Sequence, residues 1–121
     1  MSEMKNLAID ELNEIKQGMN KEQYFKFAEA FFDQCVDISR KKNADYTGGN
    51  EDPFANFTSV GEEWTEIGFY TRMMDKMGRI RSFIKNGQLQ VKDESVTDTL
   101  NDLANYCCLF AGYLKSKNFV K

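Results

Sequence analysis

The sequence predicts an all-α protein, a bundle of three long helices preceded by a short N-terminal one. Three observations carry that expectation. Apolar side chains recur every three or four residues along three long segments, the spacing of one helix face. The only proline, Pro53, falls in the stretch where that pattern breaks. At 121 residues the chain has the length of one domain. A domain of this size buries about two-thirds of its unfolded surface without staples.

Residues 7–16 suit a short first helix with Leu7, Leu12 and Ile15 inward, stopped by Gly18. Asn20 is placed to cap a longer helix from Lys21 to about Lys42. Its stripe is Phe27, Phe31, Cys35 and Ile38, widened by Phe32 and Val36. Residues 43–61 break the pattern, because Tyr46-Thr47-Gly48-Gly49-Asn50 and Asp52-Pro53 are turn chemistry. That stretch exceeds the roughly 12–15 residues usual for an unstructured connection, and Phe54 and Phe57 can anchor it, so it reads as an ordered functional loop. A third helix spans Glu62–Asn86, with Tyr70, Met73, Met77, Ile80 and Ile84 down one side and Gly87 at its end. After a link at 88–92, a fourth helix covers about 93–117. Its stripe is Val96, Leu100, Leu103, Cys107, Phe110 and Leu114, and Asp93, Glu94 and Ser95 suit its positive N-terminal end. No internal repeat is present.

Composition narrows the chemistry. The formal charge of −3 and pI near 5.0 give no support to coating a nucleic-acid polymer, although a local basic cluster can still bind phosphates. No run approaches the roughly 18 apolar residues that span a membrane. Nothing behind Met1 reads as a secretory signal, so a cytoplasmic location is the expectation. Histidine is absent. That removes Ser-His-Asp and Cys-His nucleophiles and histidine-containing zinc sites. Cys107 and Cys108 sit in an apolar run and, with Cys35, read as buried reduced thiols. Any catalysis must use carboxylates, amines, hydroxyls or a hard metal ion.

Two helices carry charged groups that can do such chemistry. On the fourth, Glu94, Asp98, Asp102 and Asn105 fall within an arc of about 80°, opposite the expected core stripe. A solvated acidic face is one reading. The other is a carboxylate cluster for magnesium or manganese, since no lysine relieves the like-charge repulsion and later turns are apolar nearly all round. On the third, Arg72, Asp75, Lys76 and Arg79 share a face, either as an intrahelical ion-pair network or as an acidic ligand with cations for phosphate oxygens. Glu63 and Glu66 map to the side of Tyr70, Met73 and Met77, or serve as helix-start charges. In the loop, Gly48 and Gly49 allow close backbone approach, Tyr46 can stack on a base and Asn56 can read a base edge.

These residues together resemble a known family. The runs are Lys42-Asn43-Ala44-Asp45-Tyr46, Asp52-Pro53-Phe54-Ala55-Asn56-Phe57, Arg72-Met73-Met74-Asp75-Lys76-Met77-Gly78-Arg79-Ile80, Glu94-Ser95, and Asp98-Thr99-Leu100-Asn101-Asp102-Leu103-Ala104-Asn105-Tyr106. Over about residues 40–110 they look like the nucleotide-modification-associated, phage and prophage branch of the MazG-like all-α nucleoside-triphosphate pyrophosphatases. The resemblance implies a helical bundle that assembles as an oligomer. It also implies hydrolysis of a (deoxy)nucleoside triphosphate to monophosphate and pyrophosphate, with magnesium held by carboxylates on two neighbouring helices. Better-known members use Glu-Glu-x-x-Glu and then Glu-x-x-Asp. Here Asp102 matches the final Asp, with Thr99 three residues earlier and Asp98 four earlier; Glu62, Glu63 and Glu66 have the first spacing, while Asp75 aligns by its neighbours.

The resemblance thus implies Asp75, Glu94, Asp98 and Asp102 as ligands of magnesium or manganese, with one of Asp75, Asp98 and Asp102 serving as base. Arg72, Lys76 and Arg79 would neutralise phosphoryl charge. Lys41, Lys42, Asp45, Tyr46, Asn56 and Asn105 would hold the nucleotide. Two other classes stay open: a protein that binds or sequesters nucleotides without cutting them, and a helical interaction module. The expected partner is a nucleotide, with no nucleic-acid polymer and no membrane. Wide apolar faces on so small a domain suggest a homodimer or homotetramer.

Overall fold

In a computed structural model, residues 18–87 and 95–117 are described, and all their regular structure is helical. The elements are α1 (Lys21–Thr47), α2 (Ala55–Thr58), α3 (Glu62–Asn86) and α4 (Val96–Ser116). The expected short helix at 7–16, the link at 88–92, and Asp93 and Glu94 lie outside the described residues. The chain divides into two compact units, Met1–Asp33 and Gln34–Lys121.

The described part of the first unit is the opening of α1. Asn20 caps it reciprocally: its Oδ1 accepts from the Gln23 amide at 2.8 Å, and Gln23 Oε1 accepts from the Asn20 amide at 3.0 Å. The expected inward stripe is mostly exposed here. Tyr24, Phe25, Phe27 and Phe32 are all exposed; Tyr24 meets Phe25 ring to ring, and Phe27 and Phe32 each meet Phe31.

In the second unit α1 continues to Thr47, one turn beyond the expected end near Lys42. Residues 43–46 are turn-favouring types that nothing obliges to leave the helix. Gly48 and Gly49, at φ 61° and 84°, are the first to take left-handed backbone. The stretch expected as a long loop is therefore a short connection followed by α2. Asn50 Oδ1 accepts from the Asp52 amide at 2.8 Å, Asp52 Oδ1 from the Phe54 amide at 2.9 Å, and Asn43 Nδ2 donates to Pro53 O at 2.8 Å. These bonds tie the connection to itself and back to α1.

The core lies where α2, α3 and α4 meet. Phe69 is fully buried, stacked between Phe57 at 4.0 Å and Phe110 at 5.0 Å between centroids. Tyr113 closes the cluster, with Phe54 edge-on at 5.9 Å. Gly112 lies under the Phe54 ring, where a Cβ would make a van der Waals contact at 3.4 Å. The inward residues of α3 include Thr65 and Phe69, one stripe round from the expected Tyr70 and Met77, which are exposed. On α4, Thr99, Asn101 and Tyr113 are buried, whereas Leu100, Cys107 and Cys108 are exposed. The expectation of buried thiols holds for Cys35 and is corrected for Cys107 and Cys108. Of the expected α4 stripe, Phe110 and Leu114 pack against this core, while Asn101 and Asp102 bond to side chains of α1.

Candidate functional site

The C-terminal half of α1 meets α4 through polar groups. Buried Cys35 donates its thiol hydrogen to Asn101 Oδ1 at 3.3 Å. Two turns further on, Lys42 Nζ donates to Asp102 Oδ1 at 2.7 Å. From α3, Lys76 Nζ lies 3.2 Å from Asp102 Oδ2. The Asp102 side chain is 14% exposed and that of Lys76 11%, while Lys42 is 44% exposed. Each carboxylate oxygen thus faces an ammonium from a different helix. This corrects the expectation that Asp102 lies opposite the core: it points into the join of three helices.

The electrostatics follow from that placement. Burial alone would raise the pKa of Asp102, but the bonds from Lys42 and Lys76 outweigh it and hold the carboxyl below its ordinary range. The hydrogen bond to Asp102 raises Lys42 in turn. Burial, and then the negative charge of Asp102, push the Cys35 thiol up. Tyr106 is raised by burial and then by its neighbour Tyr46.

Two cavities open beside the clamp. A niche of about 30 Å³ is lined by Ser39, Lys42, Asn43, Tyr46, Asp102, Asn105, Tyr106 and Leu109. It has room for about one water molecule. Adjoining it, and sharing Ser39, Asn43, Asn105 and Leu109, an open groove of about 530 Å³ runs past Arg40, Thr47, Gly49, Asn50 and Cys108. That volume lies in the range of small-molecule sites.

Of the residues singled out in the sequence, the structure brings together Lys42, Tyr46, Lys76, Asp102 and Asn105. Asp45, Asn56, Arg72, Asp75, Arg79 and Asp98 line neither cavity. Asp75 is 59% exposed and lies 3.6 Å from Arg79 one turn on, as an intrahelical pair. Arg72 is exposed, close enough for its charge to act on Tyr106. The buried Asn56 Oδ1 has no partner among the described residues. Asp98 is spent on the start of α4: its Oδ2 accepts from the Ser95 amide, and Ser95 Oγ accepts from the Asp98 amide, both at 3.1 Å. Glu94 lies outside the described residues.

Asp102 has each oxygen on a lysine, and Asp98 is bound to a helix end. Among the described residues no three histidine, cysteine, aspartate or glutamate side chains gather as a metal-binding group. Among the described residues, which exclude Glu94, that donor set does not fit magnesium or manganese. Ser39, Asn43, Asn101 and Tyr106 are site residues the pattern analysis did not single out. A signal was present, because Ser39, Lys42 or Asn43, and Tyr46 recur at helical spacing on one face of α1.

No curated protein and no solved structure matches the chain. Residues 59–111, from the start of α3 through the site-bearing turns of α4, match the family model described as nucleotide modification associated domain 1.

Proposed function

We propose that the chain binds a nucleotide in the groove between α1 and α4, with its phosphates against Lys42 and its base among the carboxamides of the groove. The observation that carries this is the clamp of Lys42 and Lys76 on Asp102: Lys42 and Asp102 line the niche that adjoins, through Ser39, Asn43, Asn105 and Leu109, a cavity of about 530 Å³. Lys42 is the half-exposed member, and one of its three ammonium hydrogens is used on Asp102, which leaves two for phosphoryl oxygens. Lys76, nearly buried, holds one oxygen of Asp102, and Lys42, on the other, lines the niche beside the groove. Tyr46, about half exposed, is available for stacking, and Asn105 offers both a donor and an acceptor. The match to a nucleotide-modification-associated domain supports the same class of ligand.

Hydrolysis of a (deoxy)nucleoside triphosphate to monophosphate and pyrophosphate is the second reading, supported by that match together with the motif resemblance. It requires a divalent cation and carboxylates beyond those gathered among the described residues. One panel of ribo- and deoxynucleotides, with and without magnesium, separates the readings when melting temperature and pyrophosphate release are followed together. Binding predicts a melting shift without magnesium that Lys42→Ala reduces, with affinity falling about tenfold or more. Pyrophosphate release establishes the hydrolase. No shift and no release with any nucleotide overturns both.

A further inference from the structure

The niche and the groove beside the clamp are lined by different charges. Lys42 lines the niche and not the groove, and Glu51 lines the groove and not the niche. The cations Arg40 and Lys42 both stand on α1, about 10 and 8 Å of helix before Thr47. Glu51 stands beyond Thr47, on the connection that follows. It is the one carboxylate on the groove's walls among the described residues. Its side chain is exposed, and no described residue pairs with it. A phosphate is drawn to the cations and repelled by Glu51. A nucleotide with its phosphates on Lys42 therefore has its base toward the connection.

Next to Glu51 stands an amide whose orientation is fixed. Asn50 lines the same groove, and its Oδ1 accepts from the Asp52 amide at 2.8 Å. Its Nδ2 is thereby the free end of the carboxamide, a donor without a partner among the described residues. The backbone beneath is held as well. The Asn50 amide donates to Thr47 O at 3.1 Å, and Asn43 Nδ2 donates to Pro53 O at 2.8 Å. Two consecutive residues on a braced turn thus present one amide donor and one carboxylate that only accepts.

Of the common bases, guanine alone complements that pair. Its O6 accepts from an amide donor, while N1–H and one N2–H donate to the two oxygens of a carboxylate. Adenine and cytosine bring one amino group to the carboxylate and set a bare ring nitrogen against its second oxygen. Uracil and thymine bring N3–H and set O2 against that oxygen. An acceptor left facing an acceptor is what makes a polar site reject the wrong ligand. We propose, on the footing of the nucleotide reading above, that the groove selects guanine, with Asn50 and Glu51 as the residues that read its edge.

Calorimetric titration of the full chain with the 5′-monophosphates of guanosine, inosine, adenosine, cytidine and uridine, without magnesium, tests the inference. Guanosine monophosphate is expected to bind about tenfold or more tightly than each of the others. Inosine monophosphate differs from it only in lacking the N2 amino group, so its deficit reads the second oxygen of Glu51. Glu51→Gln keeps the side chain's size, and far-UV circular dichroism checks that it folds. That variant is expected to erase the gap between guanosine and inosine monophosphates, whereas Lys42→Ala weakens all five together. Equal binding of the five, or a preference for another base, overturns the choice of guanine and leaves the nucleotide reading standing. So does a guanine preference that survives Glu51→Gln. Absence of binding by all five overturns it too, and the triphosphate panel then decides the nucleotide reading by itself.

Discussion

Asp102 is held by opposed effects of similar size. Taking a carboxylate out of water is costly, and two lysines from different helices offset that cost. Removing its charge strands Lys76, whose side chain is 11% exposed, while the more exposed Lys42 relaxes into solvent. Asp102→Asn is therefore expected to lower stability by about 2 kcal/mol in urea denaturation at neutral pH. The pH dependence has a definite sign. A depressed carboxyl pKa means that the unfolded chain binds more protons, so the Asp102 contribution is complete above its unfolded value of about 3.9 and disappears as pH falls through the folded value. Lys42, raised in the fold, contributes below its unfolded value of about 10.4 and loses that contribution as pH rises through the folded one. The stability gap between wild type and Asp102→Asn is expected to be flat between these limits and to close in acid. A gap that persists unchanged below pH 3 would show that the clamp does not depend on that charge.

The helices begin and end at identifiable chemistry. For α4 this is the reciprocal pair of Ser95 and Asp98, which satisfies two amides at the helix start. Ser95→Ala is expected to cost about 1 kcal/mol, which lowers the melting temperature by about 4 °C in a domain this size. Asp98→Ala should share that loss while leaving nucleotide affinity unchanged, which separates a capping role from the ligand role implied by the family resemblance. The ends of α3 were legible because Gly61 and Gly87 both take positive φ at its boundaries. The end of α1 was less so. Asn43, Asp45 and Tyr46 are compatible with a turn or with one more helical turn, and the backbone remains helical until the Gly48-Gly49 pair.

Across the whole chain, the thiols report which surfaces the fold covers. Cys107 and Cys108 are exposed on α4, and Cys35 is buried with its hydrogen on Asn101. Burial and the nearby Asp102 charge both raise the Cys35 pKa and so suppress the thiolate that reacts. A thiol-exchange titration of the native chain is expected to consume two thiols quickly, and the third only when denaturant is added. Three equally fast thiols would mean that the join of α1 and α4 opens readily in solution.

Helical periodicity, the single proline placed outside the long helices and the capping residue Asn20 were enough to predict the fold class and most helix boundaries, whereas the cap at Ser95, two residues past the expected start near 93, came from the structure. These are local properties, because backbone hydrogen bonds reach only one turn and a cap acts within three residues. Which stripe turns inward was not legible in the same way. On α3, both the face at Thr65 and Phe69 and the expected stripe through Tyr70, Met77 and Ile84 satisfy a helical repeat, and the packing of Phe57 and Phe110 on Phe69 selects the first. The candidate site divides likewise. Lys42, Lys76 and Asp102 stand out singly as charged residues among apolar neighbours, yet Lys42 and Asp102 are 60 positions apart. No spacing rule connects them, and their meeting depends on where the core leaves room for a buried charge.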